Sequence, residues 1–381
     1  MSAGRAGVYV RQLEGYSAFI PAALPPDPPI SMDDEMMALL SDADRSLGRL
    51  DGSIQTLPNP DLFVFMYVRK EAVLSSQIEG TQSSFSDVLE AEAAIQDMNR
   101  PRDVDEVLNY VEAMNYGLAR LSDLPVSTRL LREIHEHLLA GVRGADKLPG
   151  ELRRSQNWIG SGGATLKDAT YVPPPPHEMN EALSNLEHFL HADDPIPALI
   201  RIGLAHAQFE TIHPFLDGNG RVGRLLITFL LCERGTLQKP VLYISHYFKQ
   251  RRVEYYELLQ RVRDEGAWEP WLKFFLIGMA EVSREATETA RRIVGLREEH
   301  RRLIAQDFGR VAGNAAVVLE RLYSQPYISI NQVAALTGVS FPAASSLVAK
   351  FVEHGLLTEV TGQARNRRFQ YSQYVQIFAT D

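Results

Sequence analysis

The sequence predicts an all-α fold that carries one small β-hairpin and ends in a helix-turn-helix unit with a two-stranded wing. Three observations carry that expectation: apolar residues recur at helical spacing through most of the chain, the stretch from Gly150 to Pro176 is dense in glycine and proline, and the pattern changes again after residue 310. At roughly 150 residues per domain, 381 residues imply two or three domains. With 45% hydrophobic and 23% charged residues, wholesale disorder, collagen-like sequence and coiled-coil rods are excluded.

From Pro21 to Pro29 five of nine residues are proline, which predicts an extended arm lying on a neighbour. Ser31-Met32-Asp33-Asp34 reads as a capped helix start, followed by Met36, Leu39, Leu40, Leu47 and Leu50 at helical spacing. Asn59-Pro60 opens a second helix with Asn as cap; it carries Leu62, Phe65, Met66 and Val73 and stops at Gly80, a left-handed C-cap. Helices follow over Val104 to Leu121 and Val126 to Leu139. Gly150 to Pro176 then reads as a loop with a short β-like run, Thr165 to Val172. Helices resume at His177, and Glu281 to Leu303 suits a long connecting helix. Trp158, Trp268 and Trp271 are expected as core anchors, and His135 and His137 as parts of a helix face rather than zinc ligands.

In the last segment Ala315 to Tyr323, Ser329 to Leu336 and Phe341 to Glu353 read as helices, and Leu356 to Thr361 and Arg368 to Tyr371 as strands. This is the winged-helix pattern, whose third helix can enter a DNA groove. Residues 310–381 hold six Lys/Arg and four Asp/Glu, a net of +2, against −11 for the remainder of a chain whose total is −9. DNA contact through Arg365, Arg367 and Arg368 and a purely protein-binding wing both stay open. The expected domains are 1–100, a helical region; 101–285, the core; 286–309, a linker helix; and 310–381, the winged helix.

The longest uncharged apolar run of note, Leu225 to Cys232, is far short of the roughly 20 residues a membrane span needs. No hydrophobic leader is readable in Met1 to Gln12, and the lone Cys232 suits a reducing compartment, so a cytoplasmic protein without a membrane partner is expected.

The most informative stretch is His213-Pro214-Phe215-Leu216-Asp217-Gly218-Asn219-Gly220-Arg221-Val222-Gly223-Arg224. Asp-Gly-Asn-Gly exposes successive N–H groups at a helix N-terminus, an arrangement that favours phosphate. Arg221 and Arg224 add bidentate, permanently charged contacts. Asp217 is a hard oxygen ligand suited to magnesium on phosphates, and His213 can take a proton near neutral pH. Each feature alone fits an ordinary turn; their concentration in twelve positions does not. The pattern is neither a Walker A loop nor a dinucleotide fingerprint.

This stretch resembles the signature of the Fic family, His-x-Phe-x-[Asp/Glu]-Gly-Asn-[Gly/Lys]-Arg-x-x-Arg, at every defined position. Ser75-Ser76-Gln77-Ile78-Glu79-Gly80 resembles the family's inhibitory pattern, [Ser/Thr]-x-x-x-Glu-[Gly/Asn], placed N-terminal to the core. Gly150-Glu151-Leu152-Arg153 and Asn157-Trp158-Ile159-Gly160 also look like family segments. The likeness covers about residues 15–285 and implies a Fic helical core with a β-hairpin flap, an N-terminal helical extension and a frequent companion, the C-terminal winged helix.

The resemblance implies an autoinhibited protein adenylyltransferase that moves AMP from ATP, with Mg2+, to a Tyr, Thr or Ser hydroxyl of a protein target or of itself. His213 would be the base and Asp217 the metal ligand. Gly218, Asn219, Gly220, Arg221, Gly223 and Arg224 would hold phosphates, with Gln250 and Tyr256 on the nucleotide side; at Gln250 relatives often carry Asn. Ser75, Glu79 and Gly80 would form the inhibitory element, with Glu79 drawing Arg224 away from the γ-phosphate. Thr165 to Val172 would be the flap, an edge onto which a target segment adds. AMP removal, a homodimer, a donor other than ATP, and a DNA-binding regulator with a nucleotide-sensing core remain as alternatives.

Overall fold

The computed structural model describes residues 4–55, 60–95, 101, 103–160, 163, 165–363 and 365–379, with backbone only at 61–63. It opens with two strands, β1 (Gly7–Arg11) and β2 (Ser17–Pro21). Eleven helices follow: α1 (Asp34–Gln55), α2 (Pro60–Ile78), α3 (Phe85–Glu92), α4 (Val104–Arg120), α5 (Thr128–Leu138), α6 (Pro176–His191), α7 (Ala198–Ile212), α8 (Asn219–Glu233), α9 (Ser245–Gln250), α10 (Arg252–Glu265) and α11 (Trp268–Asp307). The C-terminal part holds α12 (Ala312–Ser324), β3 (Tyr327–Ser329), α13 (Ile330–Thr337), α14 (Phe341–Glu353), β4 (Thr358–Glu359), β5 (Arg368–Gln370) and α15 (Ser372–Ala379).

Local chemistry accounts for the helix ends that matter to the site. Asp33 caps α1, its Oδ1 accepting the Met36 N–H at 2.7 Å. The proposed cap of α2, Asn59, lies outside the described residues, as does the Leu62 side chain. At the other end of α2 the Gly80 N–H donates to the Gln77 carbonyl (3.1 Å) and the Thr81 N–H to that of Ser76 (3.3 Å), with Gly80 at φ +95°. That is the paired closure a left-handed glycine permits, and it fixes Glu79 at the end of the helix.

The core is built around helices buried on nearly all sides. Every residue of α7 from Leu199 to Ile212 is buried, as are Val222 to Leu231 of α8, and α2 buries Met66 to Ser76. Each large apolar side chain so enclosed contributes roughly 1.5–3 kcal/mol. Around them pack α4, α5, α9 and α11, and α1 lies along α11, where Lys273 pairs with Asp33 at 3.0 Å and Arg284 with Asp42 at 2.8 Å. The proline arm does lie on a neighbour. Arg5 clamps Glu269 at the start of α11 with two 2.8 Å bonds and donates to the Pro28 and Pro29 carbonyls.

Several expectations change. The antiparallel pair β1–β2 was not legible, and Thr165 to Val172 is mostly turn, joined to Ile159 through a single bridge at Tyr171. Part of that loop, 161, 162 and 164, lies outside the described residues. The stretch expected as a connecting helix is the second half of one 40-residue helix, α11. Trp268 and Trp271 are core anchors, but Trp158 is 42% exposed. In the C-terminal part a strand, β3, precedes α13 and makes the sheet three-stranded in the order β3-β5-β4. The capping box Ser329–Gln332 starts α13.

Candidate active site

Helix α7 ends on His213, which sits in the left-handed region at φ +50°, ψ +60°. A non-glycine residue held there costs of order 1–3 kcal/mol and persists only where its surroundings over-determine it. The surroundings are specific. Buried Arg153 donates through Nε to the His213 carbonyl (2.9 Å), and its N–H bonds the Pro214 carbonyl (3.0 Å). Asn157 Nδ2 donates to the Phe215 carbonyl at 2.8 Å. Both residues come from the Gly/Pro-rich loop, so that loop braces the corner that aims the imidazole.

The turn between α7 and α8 is closed by Asn219, whose Oδ1 accepts the Phe215 N–H and whose Nδ2 donates to the Phe215 carbonyl, both at 2.8 Å. Its side chain is therefore spent on the loop. Gly218, at φ +78°, turns the chain into α8. His135 supports the turn from α5. Its ring stacks on Phe215 at 3.9 Å, Nδ1 accepts the Gly150 N–H (2.9 Å), and Nε2–H therefore donates to the Asp217 carbonyl (3.0 Å). Burial depresses this imidazole to about 4, in keeping with a neutral ring. His137 instead rests on Tyr116 and reaches Glu112, the plain helix face expected of it.

The first two turns of α8 carry the charged groups. Arg224 is fully buried: Nε donates to Ser75 Oγ (2.8 Å), and Nη2 to the Ser75 carbonyl (3.1 Å) and to Glu79 Oε1 (2.6 Å). A Cβ on Gly220 would stand 2.3 Å from the same Glu79 oxygen, so the carboxylate lies directly against the first turn of α8, and glycine makes room for it. Burial opposes the charge on Glu79, but Arg224 outweighs it and holds the carboxyl below its usual range. Arg221, also buried, reaches Glu106 at 3.5 Å and Asp217 at 3.9 Å.

His213 is half-buried, and burial, aided by Arg263 and Arg153, pushes its imidazole down to about 3. Its Nδ1 is enclosed without a hydrogen-bond partner. With Nδ1 enclosed, Nε2 is the ring nitrogen left to accept a proton. Asp217 is 40% exposed; Oδ1 accepts the Gly218 N–H at 2.6 Å, and Oδ2 accepts no hydrogen bond among the described residues. No cluster of three or more metal-binding side chains exists among the described residues. A single free carboxylate oxygen fits an ion such as Mg2+, which takes one or two protein carboxylates and completes its shell with phosphates and water.

The remaining expected residues separate. Tyr256 is partly exposed at the site; burial first, then the charge of Glu79, raises its hydroxyl to about 12. Gln250 lies at the exposed end of α9, bonded to His246 (2.9 Å). Gly223 faces away from the loop: a Cβ there would stand 2.3 Å from Glu210 Oε1. Its close packing on α7 lets His206 Nδ1–H donate to the Gly223 carbonyl while Nε2 accepts the Tyr255 hydroxyl, both at 2.8 Å. Tyr255 is thus a core residue.

Two buried glutamates escaped the sequence reading because nothing in their spacing marks them. Glu210 and Glu71 are both raised to about 7 by burial. Glu71 faces Ser245, whose N–H it accepts at 3.2 Å, and Tyr110 at 3.4 Å. A carboxyl raised above its unfolded value stabilises the fold while protonated and loses that contribution as pH rises through about 7. Glu71→Gln is therefore expected to lose less stability than the parent between about pH 4.5 and 7, by up to ~3 kcal/mol. Parallel stability–pH curves from thermal or denaturant unfolding would contradict this.

Two family models match the chain: Fic/DOC family N-terminal over residues 37–119, which include Ser75 and Glu79, and Fic/DOC family over 125–231, which include the loop at 213–224. The chain belongs to the Fic/DOC family. Among curated Fic relatives, "Protein adenylyltransferase Fic" of Drosophila grimshawi is 32% identical over 173 residues, 45% of this chain and 32% of the relative. The same-named protein of Culex quinquefasciatus is 32% identical over 204 residues, 52% of this chain and 37% of the relative. The chain thus matches about a third of the length of these relatives. A Fic family protein from Desulfovibrio desulfuricans superposes with a TM-score of 0.60 at 21% identity, covering 90% of this chain and 97% of that one. A Fic domain containing signaling protein from Bacteroides thetaiotaomicron gives 0.52 at 18% identity, covering 65% and 95%. These two share the fold.

Proposed function

We propose that this Fic protein is an autoinhibited protein adenylyltransferase. The observation that carries the reading is the Glu79 carboxylate on Arg224 against Gly220, an anion of the chain itself seated where a helix N-terminus would receive phosphates. The names of the relatives favour adenylyl transfer over a nucleotide sensor. The neutral His213 favours it too, because a sensor has no use for a base.

In the reaction, a target hydroxyl oxygen forms a bond to the α-phosphorus of ATP while the bond from that phosphorus to the pyrophosphate oxygen breaks. The hydroxyl proton passes to His213 Nε2, and pyrophosphate leaves. The backbone N–H groups of Asn219 and Gly220, in the turn opened by Gly218, and the guanidinium of Arg221 stabilise charge on the phosphates, and Arg224 does so once Glu79 withdraws. Asp217 would hold Mg2+, which neutralises phosphate charge when bound. The flap orients the acceptor by main-chain hydrogen bonds, which suits a protein target or a segment of the chain itself. The site acts in the cytoplasm.

The test compares the parent, Glu79→Gly and His213→Ala with ATP and magnesium by intact-protein mass. A gain of one AMP in Glu79→Gly, absent from His213→Ala, supports the reading; AMP on His213→Ala refutes the base.

The C-terminal part is read as a winged helix that contacts DNA with its wing. Arg365 and Arg367 are exposed, whereas Arg368 is half-buried and donates to Gln332 Oε1 at 3.0 Å. Neutralising Arg365 and Arg367 is expected to weaken DNA binding and to reduce the log K–log salt slope by about two, roughly 0.9 for each phosphate contact. An unchanged slope removes the wing from the interface.

A further inference from the structure

The loop that carries the flap is weakly braced from within. Among the described residues its ladder consists of the Ile159–Tyr171 bridge, with N–H to carbonyl bonds of 2.8 and 3.1 Å. A lone hairpin of this size is marginal in water. Its support comes from the N-terminal part of the chain. The Phe19 N–H in β2 donates to the Val172 carbonyl at 2.9 Å, so β2 lies beside the flap and β1 beside β2 through five residue pairs. Side chains repeat the arrangement. The buried Phe19 ring is 6.3 Å from that of Tyr171, and Tyr9 meets Phe19 edge-on at 5.0 Å.

The same contacts lead to the base. Tyr171 donates its hydroxyl to the Thr211 carbonyl at 2.6 Å, two residues before His213. The Arg263 guanidinium covers the Tyr171 ring at 3.9 Å and donates to Thr211 Oγ1 (3.3 Å) and to the Glu210 carbonyl (3.2 Å). Beyond β2, Gln208 Nε2 ties the Ala22 carbonyl to α7 at 2.8 Å, and the Tyr9 hydroxyl fastens β1 to Asp264 of α10 at 2.7 Å. The N-terminal hairpin is thus anchored on two helices of the core and grips the flap between them.

We propose that β1–β2 is a positioning element of the acceptor site: it holds the flap edge at a set distance from His213, so that an acceptor segment laid on that edge presents its hydroxyl to the imidazole. The inference rests on the adenylyl-transfer reading. It assigns work to residues 7–21, which lie outside both matched regions.

Gly7 offers a local test. Its φ is +143°, and a Cβ would stand 2.2 Å from the Ile20 carbonyl oxygen and 2.7 Å from the Pro21 Cα, so Gly7→Ala must part β1 from β2 at backbone level. Tyr9→Ala is the milder second variant, removing the ring contact to Phe19 and the bond to Asp264. Each is made in the parent and in Glu79→Gly. Amide hydrogen exchange at Phe19, Ile159 and Tyr171 reads the grip on the flap independently of any reaction. Protein-bound AMP against free AMP released to water, with the affinity for a fluorescent ATP analogue, reads the consequence.

The expected result is faster exchange at Ile159 and Tyr171, and a ratio of transfer to hydrolysis lower by about tenfold or more, since a displaced acceptor forfeits orientation that water does not need. Analogue affinity stays at the parent value. Exchange at Tyr171 that stays slow while Phe19 speeds up overturns the proposal, and so does a parallel fall of transfer, hydrolysis and analogue affinity. If Glu79→Gly places no AMP on protein, the transfer reading fails by itself, and exchange at the flap still decides whether the hairpin holds it.

Discussion

Glu79→Gly is expected to raise AMP transfer by roughly 10–100-fold over the parent under matched ATP and magnesium. The size follows from what the carboxylate does now. A hydrogen bond to a charged group is worth ~1.5–3 kcal/mol, and any phosphate that needs Arg224 must first displace Glu79 from it. Removing the carboxylate should not unfold the site. Arg224 keeps Ser75 Oγ and the Ser75 carbonyl, and Gly80 still closes α2. Glu79→Gln retains shape but not charge, so an intermediate rate is expected from it. Initial rates measured by intact mass decide the matter, and equal rates in parent and Glu79→Gly would sink autoinhibition.

Helix α2, which carries Glu79, is also positioned with care. Helix α2 is buried along most of its length, and α15 rests on its outer side, where Phe378 meets Tyr67 at 5.3 Å and its carbonyl accepts from Lys70 at 3.2 Å. On the inner side Tyr110 and Ser245 hold Glu71 two turns before Glu79. A helix fixed on both faces presents Glu79 at one place. If Glu79 restrains the site as proposed, its release asks for movement of the last turn or of the Glu79 side chain, not of the helix as a body.

Helices were legible wherever a period of 3.6 coincided with a cap. Asp33 and Gly80 are such ends, and the structure uses both as the sequence suggests. The loop at 213–224 was legible because many chemistry-bearing residues fall in twelve positions. What the sequence hid depends on distant partners. Residues 7–21 pair locally as a hairpin, but β2 also bonds Val172 some 150 positions away, and Thr165 to Val172 loses its strand character to the turns that bring Tyr171 back to Ile159. His135, Arg153 and Asn157 look like ordinary helix and loop residues until the fold sets them beneath His213 and Asp217. Trp158 misled for the converse reason: size suggested burial, and the loop carries it to the surface.

His213→Ala is expected to lower transfer by roughly 10²–10⁴-fold while nucleotide affinity is retained, because the base acts on the acceptor and the phosphate contacts come from α8. Alanine in the left-handed region adds strain, so a fall in activity alone could reflect a shifted turn. His213→Asn removes the base while tolerating that backbone, and it should be as inactive as alanine. The pH profile supplies an independent check. With its imidazole depressed to about 3, His213 is neutral from pH 5 to 8 in the free enzyme. The sign is that of a group whose neutral form is favoured: acid must reach the depressed value before the base is lost. Acceptor kcat/KM in Glu79→Gly should therefore show no acid limb near 6.5, the value of an unperturbed histidine. A limb at that position would mean that the ring opens to water before it works, and that the burial seen around Nδ1 belongs to the inhibited state alone.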